Sequence, residues 1–166
     1  MKQLWAPWRM DYILSTKDNK TASCIFCNFF QAKTLEENLL LYRDNTICVS
    51  MNKFPYINGH LLVIPKNHER NIETLNEETQ LKIMKTISKS VEMLKKTLNP
   101  EGFNIGCNLE QVAGAGIVDH LHFHIVPRWL GDSNYMCVIS ETRVISDHIQ
   151  NTYNILSKEF KKIENI

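Results

Sequence analysis

His120-Leu121-His122-Phe123-His124-Ile125-Val126-Pro127 is the most informative stretch of the chain, because its alternation speaks to structure and chemistry together. Side chains two apart in a β-strand share a face. A strand is therefore predicted over His120–Val126. Leu121, Phe123 and Ile125 then turn to a core, and His120, His122 and His124 stand in a row on the other side. Half of the chain's 6 histidines would share one environment. A face of mutually bonded imidazoles is the plain structural reading, but buried polar rings cost free energy unless each is paired or used. Imidazole is a nucleophile at neutral pH and also a general acid or base. In a row, one ring can attack while a neighbour fixes its tautomer. Metal ligation is the second chemical reading of the same residues.

The loop just before the row, Gly114-Ala115-Gly116 within Val112–Ile117, lets backbone N–H groups approach a ligand closely. Beside three histidines it reads as a phosphate cradle. Upstream, Leu39–Tyr42 and Thr46–Met51 are β-type runs separated by Asp44-Asn45, which predicts a hairpin. Asn58-Gly59 is a second turn and leads into a buried strand, His60–Pro65. Leu81, Met84, Ile87, Val91, Leu94 and Leu98 recur at helical spacing and predict one apolar stripe. Thr74 with Glu77 fits a capping box and Asn76 is a rival cap, while Pro100 and Gly102 close the helix. Phe103–Leu109 and Tyr135–Ile139 are further strand candidates. A second amphipathic helix, from about Thr142 to Phe160, carries Ile145, Ile149, Tyr153, Leu156, Phe160 and Ile163. Strands mixed with helices, without regular βαβ alternation, predict an α+β fold with a mainly antiparallel sheet.

Composition bounds the function. The 166 residues fit a single domain over 1–166, with 1–23 as an N-terminal extension, 24–130 as the core and 131–166 as a C-terminal strand and helix. Lys+Arg number 19 and Asp+Glu 18, for a formal charge of +1. That balance argues against a protein that grips long nucleic acid, although Trp5, Trp8 and Trp129 could stack bases. Met1–Met10 carries no long apolar run, and no stretch has the roughly 20 apolar residues of a membrane helix. A cytoplasmic protein without membrane or nucleic-acid partners is expected. Five cysteines, an odd number, fit a metal site or buried thiols better than a disulfide framework. Cys24-x-x-Cys27 is half of a zinc site; Cys48, Cys107 and Cys137 sit in apolar runs.

The histidine row followed by Pro127 resembles the signature of the histidine-triad (HIT) superfamily. Asn58-Gly59-His60-Leu61-Leu62-Val63-Ile64-Pro65-Lys66-Asn67-His68 resembles its other block, and the two lie in the family's order with the helix between them. Leu4-Trp5-Ala6-Pro7-Trp8-Arg9-Met10 with Tyr12, and Pro127-Arg128-Trp129-Leu130-Gly131-Asp132-Ser133-Asn134-Tyr135, are similar to the branch of bacterial diadenosine tetraphosphate phosphorylases. The resemblance implies a HIT-like, five-stranded antiparallel sheet with flanking helices, paired as a homodimer. It implies that His122 attacks the α-phosphorus of a nucleotide or dinucleotide and forms a nucleotidyl-histidine intermediate. His124 would stabilise charge on the phosphate oxygens, and His60 would orient or contact the nucleophile. Asn52 falls at a ribose-binding position and Asn108 at a phosphate-contacting one, with Asn104 as a structural neighbour. Ile47 and Phe54 would line a base pocket or belong to the core.

Many members carry Gln or Ser in the loop before the triad. This chain has Gly116 and Ile117 there, so backbone N–H groups of Ala115, Gly116 and Ile117 are expected to substitute. Some bacterial members also have an N-terminal Cys-x-x-Cys. By that resemblance Cys24, Cys27, His68 and His120 form a closed, structural zinc site, with no organic cofactor. The implied reaction cleaves a dinucleoside polyphosphate with phosphate or water as acceptor. A nucleotide-binding, zinc-stabilised interaction protein with little turnover is the alternative. Attack needs a neutral His122, so activity is expected to fall as pH drops through roughly 6 to 7.

Overall fold

The computed structural model describes residues 24–133, 145 and 147–163. The predicted strand Tyr135–Ile139 with Cys137, the motif around Trp5 and Trp8, and the predicted helix start at Thr142 lie outside the described residues. Five strands form one sheet: β1 (Leu40–Arg43), β2 (Ile47–Met51), β3 (Leu61–Pro65), β4 (Gly102–Gly106) and β5 (Phe123–Arg128). Their order is β1-β2-β3-β5-β4, and every neighbouring pair is antiparallel. Among the described residues the α-helices are α1 (Ile25–Phe29), α2 (Glu77–Leu98) and α3 (Ile149–Phe160).

The sheet is covered on both faces, which explains the nearly continuous apolar runs of β2 and β3. Ile47, Val49, Met51, Leu61, Val63 and Ile125 join the main core with residues of α2 and α3. Their alternates Cys48, Leu62 and Ile64 pack with Leu40 and with Phe26 and Phe29 of α1. Ile47 is therefore core, while Phe54 is exposed. The hairpin is closed by Asp44, whose Oδ1 accepts from the amides of Thr46 and Ile47 at 2.7 and 2.8 Å. Lys82 of α2 pairs with the same carboxylate at 2.9 Å.

Several boundaries depart from the sequence expectation. The helix α2 is capped by Asn76, whose Oδ1 accepts from the Thr79 amide at 2.8 Å; the Thr74–Glu77 box is not formed. Its buried face is Thr79, Ile83, Thr86, Ile87, Ser90, Met93 and Leu94, and Leu81 and Met84 are 57% and 61% exposed. Small hydroxyl residues on the packed face hide it from an apolar-stripe reading; Thr86 Oγ1 donates to the Lys82 carbonyl, which satisfies it locally. In the last helix, Ile145 precedes the first turn, and His148 caps it by accepting from the Gln150 amide. The strand β4 ends at Gly106, so Cys107–Leu109 fall outside it. Only His124 of the three histidines lies in β5; His120 and His122 occupy the approach to it. Leu121 and Ile125 still join the main core and Phe123 packs against it, so the predicted alternation extends to Leu121, ahead of the paired strand. None of the described helices is long and apolar enough to cross a membrane.

Candidate active site and metal centre

Two constellations share the face that carries the histidines. The first is assembled from His60, at the start of β3, with His122 and His124. The His122 ring is buried at 6% exposure, and its Nδ1–H donates to the carbonyl of His120 at 3.0 Å. A carbonyl only accepts, so Nδ1 holds the proton and Nε2 keeps its lone pair. Burial holds the His122 pKa below the ordinary histidine value, against the opposing bond to the His120 carbonyl. The neutral ring therefore persists to lower pH than the expected window of roughly 6 to 7.

His124 lies beside it, with ring centroids 5.0 Å apart. Its Nδ1 is 2.9 Å from Nε2 of His60, which is fully buried. Among the described residues, the imidazole that His60 hydrogen-bonds is thus His124. Burial, reinforced by the neighbouring imidazoles, pushes His60 down to about 3 and His124 to about 4. Nε2 of His124 is buried with no hydrogen-bond partner among the described residues, on a ring that lines a cavity of about 420 Å³. Tyr56, Asn104, Gly106, Asn108 and Arg128 also line it.

Asn108 sits on the cavity wall, as expected for a phosphate contact, and its Nδ2 donates to the Gly114 carbonyl at 3.4 Å. Asn104 lines the same wall and accepts from Arg128 at 2.8 Å. Asn52 is engaged within the protein: Oδ1 accepts from the Phe54 amide at 2.9 Å, and Nδ2 lies 3.3 Å from His60 Nδ1. In the glycine loop the amide of Ala115 donates to the Glu110 carbonyl at 3.3 Å. Gly116 and Ile117 donate their amides to no acceptor among the described residues. Tyr56 and Gly106 were not singled out by the sequence. The Tyr56 ring packs on His60 and His124 at 4.7 and 5.8 Å. Gly106 stands opposite His124 in the β4–β5 register, where the missing side chain opens the cavity; a glycine inside the predicted strand Phe103–Leu109 was the available signal.

The second constellation is Cys24, Cys27, His68 and His120, whose ligand atoms all lie within 4.8 Å of one another. Cys24 precedes α1 and Cys27 lies within it; His68 follows β3 and His120 leads to β5. His120 Nδ1 is 3.3 Å from Cys24 Sγ and 3.6 Å from Cys27 Sγ, and His68 Nδ1 is 3.3 Å from Cys27 Sγ. His120 Nε2–H donates to the Pro65 carbonyl at 2.8 Å, which leaves the Nδ1 lone pair towards the thiols. That backbone partner is the usual support for a metal-ligating histidine. Two sulfurs and two imidazole nitrogens suit a tetrahedral ion such as zinc. Phe26, between the two cysteines, packs against the rings of His120 and His122 at 5.5 and 4.9 Å.

Comparison with known proteins gives an independent view. The HIT domain model matches residues 33–129. The AP-4-A phosphorylase of Mycobacterium tuberculosis is 31% identical over 167 positions, covering 98% of this chain and 86% of that protein. Among solved structures, a hypothetical histidine triad nucleotide-binding protein from Sulfolobus tokodaii aligns with TM-score 0.66 and 27% identity, covering 84% of this chain and 90% of the other. A Zn-bound histidine triad family protein from Mycobacterium smegmatis aligns with TM-score 0.68 over 84% of this chain and 94% of the other, at 23% identity, and bears on the fold.

Proposed function

The chain belongs to the HIT domain family, and on that premise we propose that it is a nucleotidyl-transferring enzyme that cleaves dinucleoside polyphosphates of the diadenosine tetraphosphate type. The observation that carries this reading is the tautomer of His122: the proton is held on Nδ1 by the His120 carbonyl, and Nε2 is a lone pair beside the cavity wall formed by His124. Nε2 attacks the α-phosphorus; the N–P bond forms as the P–O bond to the departing polyphosphate breaks. The acceptor then attacks the same phosphorus, and the N–P pair returns to His122. The N–H of His124, Asn108 and the amides of Gly116 and Ile117 offer hydrogen bonds to the phosphate oxygens. The relation to an AP-4-A phosphorylase favours inorganic phosphate as the acceptor, giving ATP and ADP.

Cys24, Cys27, His68 and His120 would hold a zinc ion. With four protein ligands the ion serves structure and offers no open position to substrate. Among the described residues the edge strand β4 has a neighbour on one side only, and Ile105 in it is 48% exposed. A second copy of the chain pairing there would make the homodimer, which light scattering measures.

The test is incubation with diadenosine tetraphosphate, with and without inorganic phosphate, beside His122→Ala. Products limited to ATP and ADP, dependent on phosphate and absent in the variant, support the reading. ATP and AMP in either buffer would make water the acceptor. Tight nucleotide binding that survives His122→Ala, with no turnover in either protein, would replace the enzyme with a nucleotide-binding protein.

A further inference from the structure

We propose that Asn52 is a positioning residue: with the backbone amide of Tyr56 it locks the proton of the His60–His124 pair, so that His124 presents an N–H to the substrate phosphate. The inference rests on the nucleotidyl-transfer reading and adds to it the residue that sets the proton's place.

Each step follows from a donor that cannot exchange its role. The Phe54 amide donates to Asn52 Oδ1 at 2.9 Å, which turns the Asn52 Nδ2 group to His60 Nδ1 at 3.3 Å. The Tyr56 amide donates to the same Nδ1 at 3.1 Å. A ring nitrogen facing two donors must be the lone-pair nitrogen. Neutral His60 therefore carries its proton on Nε2 and donates it to His124 Nδ1 at 2.9 Å. His124 in turn holds its proton on Nε2, the buried atom without a partner among the described residues. The Tyr56 ring lies across both imidazoles and keeps them in place.

The outcome is a pair of adjacent rings with opposite tautomers. His122 offers a lone pair at Nε2 and His124 offers a hydrogen at Nε2, with centroids 5.0 Å apart. Attack on the α-phosphorus of a phosphoanhydride uses both, a nucleophile and a donor for the charge that develops on oxygen.

A double-mutant cycle separates the two roles. With diadenosine tetraphosphate as probe, Asn52→Ala is expected to lower kcat about tenfold, the scale of one lost hydrogen bond, with KM unchanged. In a His60→Ala background the same substitution is expected to cost nothing more, because Asn52 acts through His60. A rise in KM of equal size in both backgrounds would overturn the proposal in favour of a ribose contact. Nitrogen-15 NMR of histidine-labelled, zinc-loaded, full-length protein without nucleotide gives a reading that needs no turnover. Protons on Nε2 of His60 and His124 and on Nδ1 of His122 are expected; a proton on Nδ1 of His124 would overturn the lock. Absence of turnover in the unmutated protein would count against the nucleotidyl-transfer reading, and the NMR tautomers would still decide this one.

Discussion

Alanine at Gly59 tests how tightly the turn before His60 is built. Gly59 has φ +76°, and a Cβ there would sit 2.5 Å from Leu98 Cδ1, 3.3 Å from Pro127 Cγ and 3.6 Å from Leu94 Cδ2. The left-handed backbone costs an L-residue about 1–2 kcal/mol. The overlap falls on the far end of Leu98, which can turn away, so it adds about 1 kcal/mol, the low end for overpacking. Alanine also stiffens the unfolded chain, which offsets about 0.5 kcal/mol. The net is a loss of about 2 kcal/mol. With a urea slope of about 2 kcal/mol per molar, the unfolding midpoint drops by about 1 M. Gly116→Ala is the control: a Cβ there meets nothing within 4 Å, and its midpoint should stay within about 0.3 M of the parent, on the higher side, from the stiffer unfolded chain alone. A Gly59→Ala midpoint equally close to the parent would refute the steric and backbone argument together.

Three further outcomes are expected. Cys27→Ser removes one of the four ligands, so metal analysis by mass spectrometry should show zinc in the parent and loss of most of it in the variant, with a lower thermal midpoint. Burial lowers His60 and His124 below their unfolded value, so the native state binds fewer protons than the unfolded chain from roughly pH 6.5 down to about 4 for His124 and about 3 for His60. Their effect is absent above pH 6.5, and stability falls as the pH drops through that window; the slope of calorimetric midpoints with pH should shrink in a His60→Asn, His124→Asn variant. Asp44 is pushed up by burial, but bonds from Thr46, Lys82, Ile47 and Tyr42 outweigh that and hold its carboxyl below the usual range. Its contribution is complete above about pH 4 and is lost as pH falls further. Asp44→Ala should cost about 1–3 kcal/mol in urea denaturation at pH 7, and less at pH 3.

The strands were legible because a two-sided sheet asks for apolar residues at successive positions, as in Leu61–Pro65 and Ile47–Met51. Asp44-Asn45 and Asn58-Gly59 marked their turns through backbone chemistry that few residues supply. The packed face of α2 was less legible, because Thr79, Thr86 and Ser90 take buried positions while Leu81 and Met84 face outward. A local pattern reports which faces are apolar, and the packed face is set by the shape of the sheet beneath. Resemblance brought Cys24, Cys27, His68 and His120 together as candidate ligands, and the fold puts their ligand atoms within 4.8 Å of one another.

The residue types of the site, then, belong to the linear order: three alternate histidines, an upstream histidine, a glycine loop and a cysteine pair. Which nitrogen of each ring holds the proton does not. That depends on the Pro65 carbonyl at His120, the His120 carbonyl at His122, and the Tyr56 amide and Asn52 side chain at His60. The free energies of a neutral imidazole's two tautomers are close in water, so hydrogen-bond partners supplied by the folded chain select between them.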